Sequence, residues 1–264
     1  MEKDLNHTVL QVKDLSIGYL HKKEEKIIVK NLNFEIKSGE LVAIIGPNGI
    51  GKSTLLKTLT TILPSISGEI LLNNKNLNTF TALALAKNQS VVLTENIPSK
   101  NLTVQELIAL GRHPYSNWLG LLSDTDKHMV KETINKLQIT AISHKKCFEL
   151  SDGQFQKVLI ARSLAQDTSL IILDEPTTHL DIYHKANTLK LLKTIAKEEH
   201  KAILFSTHEI NLAIQLCDKI LLLNSASSSY NDPCSLIEEN KFSTLFPEDF
   251  IVFDRNSGSF IIKK

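Results

Sequence analysis

Apolar and polar residues alternate over Val9–Val12, Leu15–Tyr19, Ile27–Val29 and Asn31–Ile36, and Ser38-Gly39 closes the run as a turn. A period of two belongs to strands with one buried face, so the N-terminal stretch predicts antiparallel β structure. Leu41-Val42-Ala43-Ile44-Ile45 has no polar position. That is what a strand buried on both faces of a parallel sheet requires. A helix is expected over Lys52–Thr61, stopped ahead of Pro64, then a short strand over Glu69–Leu72 with Asn73-Asn74-Lys75-Asn76 as its turn.

The middle of the chain changes period. Thr103-Val104-Gln105-Glu106 has the spacing of a capping box and opens a helix to about Leu110, where Gly111-Arg112-His113-Pro114-Tyr115 breaks it. A second helix starts near Ser123, with Met129, Val130, Ile134 and Leu137 on its apolar face. The apolar runs Leu170–Leu173, Ala202–Phe205 and Lys219–Leu223 then alternate with helical segments, the pattern of βαβ units. Ser225–Tyr230 reads as a loop, and Ile251–Phe253 with Phe260–Ile262 around Asn256-Ser257-Gly258 reads as a small hairpin. The predicted class is α/β. A mostly parallel core sheet carries an N-terminal antiparallel β subdomain and an inserted helical subdomain. One domain spans residues 1–264, with the insertion at about 95–165 and a small C-terminal extension at about 225–264.

Composition narrows the function classes. With 30 Lys+Arg against 29 Asp+Glu, the net charge of +1 gives no global reason to expect nucleic acid or an anionic membrane surface. Cys147, Cys217 and Cys234 form no CxxC pair and support neither a zinc ribbon nor a disulfide framework, so they read as thiols in a reducing compartment. The start, Met1 to His7, lacks the apolar core of a secretory signal, and no long apolar run is present to span a membrane. The expectation is a cytoplasmic chain.

Gly46-Pro47-Asn48-Gly49-Ile50-Gly51-Lys52-Ser53 fits G-x-x-x-x-G-K-[ST] between a buried strand and a helix, the context that makes it a phosphate-binding loop. Gly46, Gly49 and Gly51 are expected to let the backbone turn so that successive N–H groups face phosphate oxygens. The helix from Lys52 aims its positive end at the same oxygens. Lys52 is placed to neutralise the β- and γ-phosphates, and Ser53 to ligate Mg²⁺. Pro47, Asn48, Ile50 and Thr54 complete the set. Asp174, ending the strand Leu170–Leu173, is the expected second Mg²⁺ position, and Glu175 faces the other way to polarise an attacking water.

Leu150-Ser151-Asp152-Gly153-Gln154 followed by Val158–Ala165 resembles the signature of ATP-binding cassette (ABC) ATPases, with Asp152 where that family usually has Gly. The order phosphate loop, helical insertion, signature, Asp-Glu, then His208 also fits, and the resemblance covers about residues 8–224. It implies that Ser151, Asp152, Gly153 and Gln154 cover the nucleotide of a second copy, hence a homodimer of cassettes acting on ATP with Mg²⁺. It implies further that Tyr19 stacks on adenine, that Thr178-His179-Leu180-Asp181 lines the dimer interface, and that His208 contacts the γ-phosphate. The family places a Gln after the strand entering the insertion, where this chain has Glu95. A carboxylate about 4 Å from a phosphate oxygen is repelled by about 4 kcal/mol at an effective dielectric near 20, so Glu95 is expected to reach nucleotide only through Mg²⁺ or water.

Asn101–Leu107 with Gly111–Tyr115, the Ser-Asp-Gly-Gln signature and the short tail resemble ATPase subunits of importers for iron–siderophore, haem or cobalamin. That resemblance implies a peripheral protein on the cytoplasmic face of the membrane. Its partners would be integral permease subunits and, indirectly, a periplasmic or extracellular substrate-binding protein, with no nucleic acid involved. The segment at about 95–120 would receive the permease, and direct contact by Arg112, His113, Tyr115 and Trp118 stands beside their packing as a corner. A non-transport ABC ATPase of the iron–sulfur-assembly type is the alternative.

Overall fold

The computed structural model describes residues 7–21, 24–93, 100–224, 227–246, 251–255 and 257–262. Glu95, Ser225, Ala226 and Asn256 lie outside the described residues. The four N-terminal runs of alternation are two long strands, β1 (Thr8–His21) and β2 (Glu24–Lys37), paired antiparallel. Their register slips between Val12 and Leu15 and again between Leu15 and Ile17. Asp14 and Asn31 take left-handed backbone there, at φ 47° and 54°. These irregularities interrupt the period of two without ending the strands. After β3 (Leu41–Ile45) and α1 (Lys52–Leu59), β4 (Ser67–Leu72) pairs with β1 and with the short β5 (Lys75–Asn76), giving the order β2-β1-β4-β5.

A second sheet holds β3 with β6 (Gln89–Val92), β7 (Leu170–Leu173), β8 (Ala202–Ser206) and β9 (Lys219–Leu223), all parallel. Among the described residues its order is β10-β9-β3-β8-β7-β6. The edge strand β10 (Ser228–Asn231) corrects the expected loop, since it pairs antiparallel with β9. Its pairing comes from backbone groups offered by β9, so polar side chains do not prevent it. Tyr230 anchors it, with its ring 5.7 Å from that of Phe34 and its hydroxyl donating to the Glu35 carbonyl. Burial pushes the Tyr230 phenol well above its usual pKa.

The parallel strands divide two cores. Val42, Ile44, Ile172 and Leu204 face α1 and the antiparallel sheet, while Ala43, Ile45, Leu173 and Phe205 face most of the remaining helices. Continuous apolar runs follow from having a core on each side. α2 (Ala82–Ala86) packs Leu85 against the first core, and on the second side lie α3 (Val104–Ala109), α4 (Asp124–Lys136) and α5 (Asp152–Ala165), then α6 (Ile182–Glu198), α7 (Ile210–Leu216) and α8 (Pro233–Glu238). Thr103, Ser123 and Ser151 each close a capping box, with Glu106, Asp126 and Gln154.

Residues Leu110–Tyr115 form a 3₁₀ turn that packs as a corner. Buried Arg112 donates through Nε to Asp126 Oδ1 at 2.9 Å and through a terminal nitrogen to the Ala165 carbonyl at 2.9 Å, and it stacks on Tyr115. Trp118 beyond it is 90% exposed. At the C-terminus β11 (Ile251–Asp254) and β12 (Ser259–Ile262) pair as the expected hairpin, with Phe253 between Phe242 and Phe260. Cys147 and Cys217 are buried and Cys234 is exposed. Among the described residues no helix is long and apolar enough to cross a membrane.

Candidate functional site

The C-terminal ends of β3, β7 and β8 lie side by side, because β8 pairs with both of the others. Ligands of open parallel sheets bind at that edge. β3 leads into the glycine loop. Gly49 and Gly51 have φ of 77° and 113°, the left-handed backbone the expected turn needs, and the space above Gly49 is open. Gly46 is different. It has no left-handed backbone, but a side chain there would come within 2.5 Å of the Leu223 carbonyl, so what it needs is room beside β9. This corrects its expected role as a turning residue.

Lys52 opens α1, and its ammonium donates to the Gly46 carbonyl at 2.7 Å and the Pro47 carbonyl at 3.2 Å. The residue is only 6% exposed. Burial lowers its pKa, and the carboxylates of Glu175 and Asp174 oppose that shift. The loop's own carbonyls thus hold a buried cation at the floor of the cleft. Tyr19, Asn48, Lys52, Ser53, Thr54 and Glu175 line this cleft of about 280 Å³. Tyr19 is 46% exposed, with its hydroxyl 3.2 Å from Thr54 Oγ1, leaving its ring accessible for stacking. Ile28 on β2 adds an apolar wall that the sequence reading missed.

The two acids diverge as expected, and the structure supplies the reason. Asp174 continues the line of β7, whereas Glu175 sits at φ 48°, which turns its side chain aside. Such a non-glycine position costs about 1 kcal/mol or more and is held by its surroundings. Glu175 Oε1 meets His208 Nε2 at 2.8 Å, and Oε2 accepts from Thr178 Oγ1 at 3.0 Å. Ser206, absent from the sequence-predicted set, ties both acids together. Its buried hydroxyl donates to Asp174 Oδ1 at 2.6 Å and accepts from the Glu175 N–H at 2.9 Å. The available signal was a polar residue ending the apolar run Ala202–Phe205.

Ser53 Oγ lies 3.4 Å from Asp174 Oδ1. Both are hard oxygen donors, which suits Mg²⁺, an ion usually held by one or two protein oxygens plus substrate phosphate and water. Among the described residues no group of three or more His, Cys, Asp or Glu side chains is placed to hold a metal unaided. Ser53 and Asp174 therefore fit an ion that arrives with a phosphate chain.

The signature residues stand elsewhere. Ser151 caps α5, accepting from the Gln154 N–H at 3.3 Å, while Gln154 Oε1 accepts from the Ser151 N–H at 3.2 Å. Ser151, Asp152 and Gln154 are exposed. Gly153 and Gln154 line a second cleft of about 390 Å³, shared with Lys157, Tyr183 and His184, which has no lining residue in common with the first. One chain therefore brings together Tyr19, residues 46–54, Asp174, Glu175 and His208, and sets residues 151–154 apart. The two clefts differ in character: the first is an anion cradle beside carboxylates, the second an exposed helix start.

Comparison with known proteins gives the family. Residues 29–178 match the protein-family profile described as ABC transporter. The iron(3+)-hydroxamate import ATP-binding protein of Bacillus subtilis is 36% identical over 83% of this chain and 80% of its own length. Among solved structures, a chain of a proposed metal-chelate type ABC transporter in an inward-facing conformation superposes with a TM-score of 0.78. It is 26% identical over 97% of this chain and 96% of that chain. A dimeric ATP-binding cassette in a post-hydrolysis state, bound to ADP and Pi, gives a TM-score of 0.71. It is 28% identical over 85% of this chain and 98% of that chain.

Proposed function

The chain belongs to the ABC transporter family of ATP-binding, ATP-hydrolysing proteins, and from that premise we propose that it powers uptake of an iron chelate through a separate membrane permease. The observation that carries the reading is the separation of the two clefts. A phosphate cradle with its acids and a capped helix start with no phosphate site of its own make one complete site only when two copies meet. The dimeric relative holding ADP and Pi supports that arrangement. The import name of the Bacillus subtilis relative supports an iron–chelate cargo over the iron–sulfur-assembly alternative. The reading includes attachment to the cytoplasmic face of the membrane through the permease, with an extracytoplasmic binding protein delivering cargo.

Each residue then has a task. Lys52 and the N–H groups of residues 49–53 neutralise and orient the β- and γ-phosphates of ATP. Ser53 and Asp174 would hold Mg²⁺, which supplies charge neutralisation on the phosphates. Tyr19 offers its ring to adenine. Glu175, held by His208 and Thr178, orients and polarises the attacking water, and His208 reaches the γ-phosphate from β8. Ser151 and the N-terminus of α5 in the second copy stabilise the charge that develops as the γ-phosphate leaves. Closing over ATP and reopening after hydrolysis moves the permease.

The test is uptake in the native cell. Loss of this chain should abolish import of a ferric chelate, and the wild-type sequence should restore it. Glu175→Gln should fail to restore it while still binding ATP. Uptake restored by Glu175→Gln would remove Glu175 from its assigned role, and uptake unaffected by loss of the chain would contradict the proposed cargo.

A further inference from the structure

We propose that His184 is a positioning residue tying the loop that carries Glu175 to the signature helix of the same chain. His184 lies in the first turn of α6, and both ends of the tie are visible. Asp181 caps α6 by accepting from the His184 N–H at 2.8 Å, and His184 Nδ1 lies 2.9 Å from each oxygen of the same carboxylate. The Tyr183 ring meets the imidazole edge-on, with centroids 5.5 Å apart. The opposite edge of the imidazole lies against Gly153, where a Cβ would come within 2.8 Å of Cδ2 and 3.3 Å of Cγ. A ring fixed through Nδ1 to a carboxylate is not the free end of a flexible side chain. Gly153 does not have left-handed backbone, so the ring, rather than the turn, demands glycine there.

The tie extends to the reacting end of the molecule. Asp181 closes the loop that begins at Glu175, and in that loop Thr178 donates to the Glu175 carboxylate. A displacement of Gly153 is therefore passed through His184 and Asp181 to the segment holding Glu175. This inference rests on the dimeric reading above. In that dimer Gly153 faces the nucleotide of the other copy while Glu175 serves its own. His184 thus makes the two ATP sites sense one another, and the consequence is cooperative hydrolysis.

A double-mutant cycle on the full chain tests this, read as thermal unfolding of the nucleotide-free protein and as ATP turnover. Gly153→Ala alone should lower Tm by about 2–4 °C and turnover by at least about tenfold. In the His184→Ala background the same change should leave Tm nearly unmoved, whereas turnover should still fall, because Gly153 also faces nucleotide directly. The Hill coefficient for ATP should fall from about 2 toward about 1 in His184→Ala. It should fall equally in His184→Asn, which keeps a donor for Asp181 but withdraws the ring. Equal losses of Tm in both backgrounds, or a Hill coefficient unmoved by either His184 variant, would overturn the proposal. A wild-type chain that hydrolyses no ATP would instead overturn the dimeric reading and the coupling with it, while the unfolding cycle still reports whether ring and glycine touch.

Discussion

Ser206 has one hydroxyl and serves two acids with it, donating to Asp174 and accepting from the Glu175 backbone. It is fully buried. Ser206→Ala should therefore cost about 1–3 kcal/mol by leaving the Glu175 N–H without its acceptor. Urea unfolding measures this, and an unchanged midpoint would show that Ser206 does not support the site. At this scale the sequence was an uneven guide. Lys52, Ser53, Asp174 and Glu175 were legible because a strand-loop-helix motif fixes their relative positions. Gly46 was legible as a glycine but for the wrong reason, since its neighbour Leu223 is 177 residues away in sequence. Ser206 was not legible, because a serine after apolar residues looks like the end of any strand.

Among the elements, the helical insertion hangs on the Arg112–Asp126 pair, with side chains 7% and 5% exposed. Removing one member leaves a charge buried alone, so Arg112→Ala should destabilise the fold by about 3–5 kcal/mol. Burial pushes the Asp126 carboxyl up, but hydrogen bonds from Ser123 and Arg112 outweigh it and leave the pKa below the usual aspartate value. The sign follows from linkage. A depressed folded-state pKa gives stability that is present above the ordinary aspartate pKa and lost as pH falls through the lower one. The unfolding free energy lost in Asp126→Asn should hence be full above the ordinary aspartate pKa and shrink as pH falls through the lower folded-state one. A loss that grows as pH falls would contradict the assignment. Helix starts were readable here because Thr103 and Ser123 cap through local chemistry, whereas β10 was hidden because an edge strand borrows its pairing from a distant neighbour.

At the scale of the whole molecule, two cores on either side of one parallel sheet hold the two clefts on separate elements. The glycine loop and acids belong to the sheet, and the signature belongs to the inserted helices. Family order of motifs made both legible, and the resemblance implied that they serve different copies, but which residues line each opening follows only from the fold. The most direct measurement is the mass of the Glu175→Gln protein in solution with and without ATP, by sedimentation. The account predicts a monomer without nucleotide and a dimer with ATP. It also predicts that adding Ser151→Trp returns the protein to a monomer that still binds one ATP per chain. A Glu175→Gln protein that stays monomeric while saturated with ATP, or a Ser151→Trp chain that no longer binds ATP as a monomer, would contradict it.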